Sequence, residues 1–478
     1  MTGSAVAHEG DPHPRPFRDR AAVQRRTMVV LLLTQVIGTV GVGVAPSIGV
    51  LLAGEVTQNE AWAGLARTAS TLGAALLGLP LGDLAARRGR RFALSVGWWI
   101  AALGAAILVA AAQWSLVVPL FLGLLLIGSG SAVSLQSRFA ATDLAEPHRK
   151  ARSLSLVVWV GTIGSVLGPN LGAPGRLVGE RTGLTVYASA FLIAAGCLAL
   201  AGLVVFALLR PDPLLIHAQM TREEERGACG CAPSRPGAGP GSVSGPDPGR
   251  AAAGAGSTPV PSVPRPGRIR AMVDQARANP QARFAILAIL TAQVVMVAVM
   301  TMPPLHIRHE GGSVDLVGIT ISLHVLGMYA LAPLVGWLTD RRGNLVTIWI
   351  GVVTLAVSMV IGAALGSGAG WTIVALVLLG VGWSFVNVSA SALFSMTVPQ
   401  EARASSQGGV DALANLCGAS VAFMAGPLMA VSSFSVLSMI GVVLLAPLVW
   451  ALVRVGGAGS VSPANRSVSA AVSSHTRA

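Results

Sequence analysis

The sequence predicts an all-α integral membrane protein, with twelve transmembrane helices in two pseudo-symmetric six-helix bundles. Three observations predict it. Apolar residues fill 53% of the 478 positions and charged residues only 11%, whereas soluble domains carry about 25% charge because their surface must face water; mean hydropathy is +0.69. Apolar runs of about 20 residues, the length that crosses a bilayer as a helix, recur almost end to end. The second half of the chain also repeats features of the first.

The spans fall at roughly 27–52, 61–81, 92–112, 115–138, 153–173, 183–209, 283–305, 316–338, 345–366, 370–393, 406–429 and 432–454. Lipid offers the backbone no hydrogen-bond partner, so helices are the form these runs must take. Spans one to six make an N-terminal bundle over 27–210, and spans seven to twelve a C-terminal bundle over 283–455. Residues 1–26 and 456–478 read as cytoplasmic tails, and 211–282 as a cytoplasmic linker. Within the linker, 228–268 is Gly-, Pro-, Ser- and Ala-rich and can bury little apolar surface. Short helical pieces are expected beside it at 214–226 and 268–280.

A net charge of +13 raises the question of nucleic acid, and the position of the charge answers it. Of 33 basic residues, only Arg67, Arg176, Arg181 and Arg308 fall on the predicted outer side. That asymmetry orients helices, with positive loops inside, and argues against phosphate binding. It places both termini in the cytoplasm, and the expected location is the inner membrane of a bacterial cell. Arg15 to Arg26 precedes a span too long for a cleavable signal. Four cysteines are too few and too scattered for a disulfide or zinc framework: Cys197 and Cys417 lie in spans, Cys229 and Cys231 in the linker. No metal and no cofactor is implied.

The repeat is explicit at the residue level. Gln35 and Pro46 in span one match Gln293 and Pro304 in span seven at one common offset. After span two, Gly82, Leu84, Arg87, Arg88 and Gly89 match Gly336, Leu338, Arg341, Arg342 and Gly343 after span eight, again at a common offset. Pro147 to Ser153 and Pro399 to Ser405 are similar loops after spans four and ten. Gly336 to Gly343 reads G-W-L-T-D-R-R-G and resembles the G-x-L-x-D-R-x-G signature of the major facilitator superfamily. The resemblance covers about 27–455 and implies two bundles rocking about a central cavity, in a carrier that works as a monomer. Gly336 is expected to permit close helix approach and Gly343 to turn a short loop. Asp340, Arg341 and Arg342 are expected to pair with the neighbouring bundle in one gate state.

The N-terminal copy departs from that signature, with Ala86 where the family has Asp and an acid at Asp83 instead. Asp143 and Asp411 are then candidates to supply the negative partner of Arg87 or Arg91, with Arg138 in the same inner network. Span five carries Gly161, Gly164, Gly168, Pro169 and Gly172, and resembles the motif of proton-coupled antiporters in the superfamily. Ala173 stands where that motif has a second Gly. Small residues four apart bring helices together in lipid, and Pro removes a backbone bond.

Ionisable groups within spans are costly and need a reason. His324, near the middle of span eight, can titrate near neutral pH and couple proton movement, or can bond between helices as a neutral imidazole. Asp411 is the acid well inside a predicted span, suited to carrying a proton or to a gate contact. Arg67 can meet an anionic substrate group or snorkel outward. Gln35 and Gln293 lie on helices that line the cavity in this superfamily, with Asn387 and Asn415 as further candidates for substrate contact. His306, Arg308, His309 and Glu310 read as an outer loop.

No P-loop is present, and no paired carboxylates, spaced histidines or nucleophile motif converge at one membrane depth, so the chain reads as no enzyme. The reading is proton-coupled efflux of a small molecule by alternating access, in exchange for protons. A proton-coupled uptake symporter is the first alternative, and a transporter-like receptor or assembly protein the second.

Overall fold

A computed structural model of the protein describes residues 16–59, 61–146, 150–220, 268–365 and 368–459. Among these residues there is no strand, and twelve helical stretches are long and apolar enough to cross a membrane. Most of the expected low-complexity linker, and nearly all of the C-terminal tail, lies outside the described residues.

The first half contains α1 (Pro16–Gly43), α2 (Val50–Thr57), α3 (Ala61–Arg88), α4 (Arg90–Trp114), α5 (Val117–Ala140), α6 (Lys150–Leu167), α7 (Gly172–Thr182) and α8 (Val186–Leu208). The second opens with α9 (Arg268–Ala278), then α10 (Pro280–Met300), α11 (Pro303–His309), α12 (Val314–Tyr329) and α13 (Ala332–Arg342). It closes with α14 (Asn344–Leu365), α15 (Ala369–Thr397), α16 (Gln400–Val431) and α17 (Phe434–Gly459). The pieces expected beside the linker appear as a helix over 213–220 and as α9.

Four expected spans are each broken once, and proline accounts for the breaks. Span one passes from α1 through a π-helical turn, Ala45–Gly49, into α2. Pro46 has no N–H to give that ladder, so the turn widens. Span five runs through a 3-10 turn, Gly168–Asn170, at Pro169. Span seven restarts at Pro303, and span eight restarts as α13 with Pro333 in its first turn.

Two hydrophobic cores fill the halves. One joins residues from Val30 to Leu209; the other joins Met272 to Leu452 and takes in Val50 and Leu51. Large apolar side chains also face outward, Val118 and Val443 at 77% and 70% exposure among them. A soluble protein of this size would not expose so many, and lipid is the solvent that accepts them.

Packing inside the first half depends on small residues. A methyl at Gly168 would lie 2.6 Å from the Val40 carbonyl oxygen and 2.7 Å from Gly43 Cα, and one at Gly164 would collide with Val36 and Thr39. Thr39 Oγ1 donates to Gly161 O across the same seam at 3.0 Å. Backbone cannot give way as a flexible side chain can. Gly168→Leu is therefore expected to destabilise the purified protein by about 1–3 kcal/mol, read as a lower melting temperature in detergent. A melting temperature equal to wild type would show that this seam is not tightly packed.

Candidate functional site

The short loops after α3 and α13 mark one end of the molecule, the basic end. Both turn on a glycine with positive φ, Gly89 at 90° and Gly343 at 85°, a conformation side chains avoid. Asp83, Arg87, Arg88, Asp340, Arg341 and Arg342 are all exposed here. A methyl added at Gly82 or Gly336 would meet nothing within 4 Å. The expected close approach at Gly336 is thus absent in this conformation.

The expected charge partners also differ. Asp143 pairs with Arg90, Nε to Oδ2 at 2.9 Å, and not with Arg87 or Arg91. Arg91 instead donates from Nε to the Phe206 carbonyl at 2.7 Å and lies over the Phe206 ring. The acid that serves this loop is Asp212, which sequence reasoning missed. Its Oδ2 accepts the Arg91 backbone N–H at 2.8 Å, and its Oδ1 accepts that of Leu214 at 3.0 Å. A carboxylate at the N-terminus of α4 is favoured by the unsatisfied amides there. The available signal was an acid between two prolines directly after span six.

At the opposite end the halves are clasped. Arg176 on α7 binds Asp315 on α12 through both guanidinium nitrogens, Nη1 to Oδ1 at 3.0 Å and Nη2 to Oδ2 at 2.5 Å. The Asp315 hydrogen bond and charge hold the Arg176 guanidinium above its ordinary pKa. Asn170 Nδ2 donates to Ser322 Oγ at 2.6 Å, and Ser322 Oγ donates to Val166 O at 2.6 Å. Thr68 Oγ1 donates to Ala419 O at 3.0 Å. Gly172 also serves here: a methyl on it would press on Val314 at 2.9 Å.

Between the ends lies a cavity of about 380 Å³ lined by both halves. Of the sequence-predicted residues, Arg67, Gln293 and Asn415 line it. Gln293 Oε1 accepts from Trp383 Nε1 at 3.3 Å, and Asn415 Nδ2 donates back to the Asp411 carbonyl at 2.9 Å. Gln35 is buried, bonds Ser134 Oγ through Nε2, and borders an adjoining recess shared with Arg138 and Tyr329. Asn387 is not among the lining residues. Arg138, expected in the loop network, lines the cavity instead.

The two candidate proton groups part company. His324 is fully buried behind the cavity wall, with Nδ1 2.7 Å from the Leu376 carbonyl and Nε2 without a partner. A carbonyl only accepts, so the proton sits on Nδ1. Asp411 is half-buried one helical turn from Asn415 toward the basic end, and the charge of Arg138 in the other half acts on it. Near the clasp, His306 stacks on Phe434 with ring centroids 5.0 Å apart, and Arg308 Nη1 donates to Gly312 O at 3.1 Å.

Two helical halves clasped at one end around a shared cavity define a membrane transporter. Residues 30–422 and 284–477 match the family model described as Major Facilitator Superfamily, and the chain belongs to that family. It is 34% identical over 427 residues to the Bacillus subtilis "Uncharacterized MFS-type transporter YdeG", covering 88% of this chain and 90% of the relative. It is 28% identical over 419 residues to the Brucella anthropi "Riboflavin transporter RfnT", covering 86% and 90%. A crystal structure of the peptide transporter POT in complex with sulfate superposes with TM-score 0.63 at 15% identity, covering 92% and 99%.

The clasp makes a prediction. Asp315→Asn removes one side of the bidentate pair and should raise labelling from the clasped side of a cysteine placed at Ser131 in the cavity wall. The expected rise is about two- to fivefold, the weight of an exposed pair on a two-state equilibrium. An impermeant maleimide applied to a cysteine-free background measures it; unchanged labelling would mean that the pair does not hold this end shut.

Proposed function

We propose that the protein is a proton-coupled secondary active transporter that moves a small molecule across the bacterial cytoplasmic membrane by alternating access, as a monomer. The observation that carries the reading is the cavity built from both halves, with Asp411 of the second half one helical turn from the cavity residue Asn415 and within electrostatic range of Arg138 of the first. A carboxylate that exchanges a paired state for a protonated one is a two-state element that both protons and substrate can bias. His324 sits off the cavity and serves packing. The basic end, with the loops and both termini, faces the cytoplasm by the distribution of positive charge, so this conformation opens inward.

Closing the basic end would bring Gly82 and Gly336 against the facing half, which explains glycines that touch nothing here. Gly336→Trp should therefore fold normally and stop transport. Retained transport would mean that this surface never closes.

Export in exchange for protons is the direction that span five supports, through its resemblance to the antiporter motif. Uptake by symport is the second reading, and the opposition of Asp411 to Arg138 favours it for a negatively charged substrate. Accumulation of a labelled compound panel in expressing cells, with and without a protonophore, separates them. Lower accumulation that recovers with the protonophore supports export, and higher accumulation that it abolishes supports uptake. Asp411→Asn should remove the protonophore-sensitive component in either case, whereas His324→Ala should lower stability and keep it. The opposite result for the two variants would move proton coupling to His324.

A further inference from the structure

We infer that the substrate is a small organic anion, a carboxylate or phosphate on an apolar body, held between Arg67 and Arg138. The inference rests on the cavity being the substrate site, as proposed above. Both arginines are among the residues lining it, and none of the lining residues is acidic. Among the described residues neither guanidinium makes an ion pair, Asp411 acting on Arg138 only at longer range, and the Nε of Arg138 is fully buried without any hydrogen-bond acceptor. Charges inside a membrane protein are costly, and one left unpaired in a desolvated site costs more. Two in one cavity wall are accounted for if a ligand brings the missing negative charge.

Their placement is suited to one bound molecule. Helices α3 and α5 both run from the clasped end toward the basic end. Arg67 comes in the second turn of α3, and Arg138 in the last turn of α5. The two cations therefore bracket the cavity along its length. Guanidinium groups meet carboxylate and phosphate through two parallel hydrogen bonds, and Ser131 and Ser134 offer hydroxyls from the same wall. The facing wall is different: Met296, Met300 and Met328 stand with Trp383 and Tyr329, whose rings pack edge-on at 6.0 Å. That surface suits an apolar, ring-bearing body.

The assignment also bears on coupling. An anion on Arg138 and a proton on Asp411 each remove the other's competitor, so they bind more tightly together than apart. That is the symport sense.

The test is thermal melting of the full-length protein in detergent with matched probes: indole-3-acetate against indole-3-acetamide and tryptamine, and phenyl phosphate against inorganic phosphate. Binding to the folded state raises the melting temperature. The carboxylate and the phosphate ester should raise it, and the amide, the amine and inorganic phosphate should not. Arg67→Gln and Arg138→Gln should each weaken the anions by about tenfold or more, the loss of one charge-assisted contact. If a Gln variant does not fold, its Lys counterpart should bind the anions more weakly than wild type. The inference is overturned if the neutral or cationic probe stabilises as well as the anion, if neither anion stabilises, or if the arginine variants bind unchanged. Anion binding without protonophore-sensitive transport would sink the coupling proposal and leave this one standing. Proton-driven transport of a cation or a neutral solute would do the reverse.

Discussion

The two halves of the chain meet backbone to backbone where Gly64 on α3 lies against Ala422 and Gly426 on α16. A methyl at Gly64 would come 2.7 Å from the Gly426 nitrogen and still closer to the Ala422 carbonyl oxygen. Lipid tails are as apolar as leucine, so no hydrophobic gain draws helices together inside a bilayer; close packing and interhelical hydrogen bonds must do it. The clasp uses both. Glycine brings α3 to α16, Thr68 bonds Ala419 one turn on, and Asn170 and Ser322 join the halves on the other flank. Every property of the cavity depends on this closure, because it makes a pocket out of what would otherwise be a cleft open at both ends.

The same physics explains what could be read from the sequence. Spans are fixed by length and hydropathy, and both are local, so twelve were countable from residue order alone. The repeat added more: Pro46 and Pro304, paired by position, both sit where a span is broken. Gly89 and Gly343 were legible because a tight loop between two membrane helices needs positive φ. Partner choice was not legible. Asp143 with Arg90, and Asp212 with the start of α4, are settled by how helices pack across 53 and 121 residues of sequence, and nothing at either position alone announces it. Arg138, at the end of the fourth span and expected in the inner gate network, instead lines the cavity.

His324 and Asp411 show why an ionisable residue in a span is a weak pointer without its surroundings. Both were marked by the same rule. His324 keeps one nitrogen on the Leu376 carbonyl and is fully buried, off the cavity lining. The Asp411 carboxylate is half-buried, one turn from a residue that lines the cavity, and lies within electrostatic range of Arg138 in the other half. Access and a movable partner are what a coupling group needs, and these come from tertiary structure.

The distribution of charge around the cavity sets how coupling can work. Both cavity arginines belong to the first half, and Asp411, on which the charge of Arg138 acts, belongs to the second. In the proposed rocking cycle Arg138 and Asp411, on different halves, would move relative to one another, so their attraction would differ between the two conformations. On the proposed mechanism, an anion bound at Arg138 would screen its attraction to Asp411 and so change the energy difference between the states, and a proton on Asp411 would do the same from the other side. A ligand with equal affinity for both states shifts nothing. In the proposed cycle the differential would arise from one longer-range attraction across the boundary between the halves, and it would need no conformational signal carried through the helices.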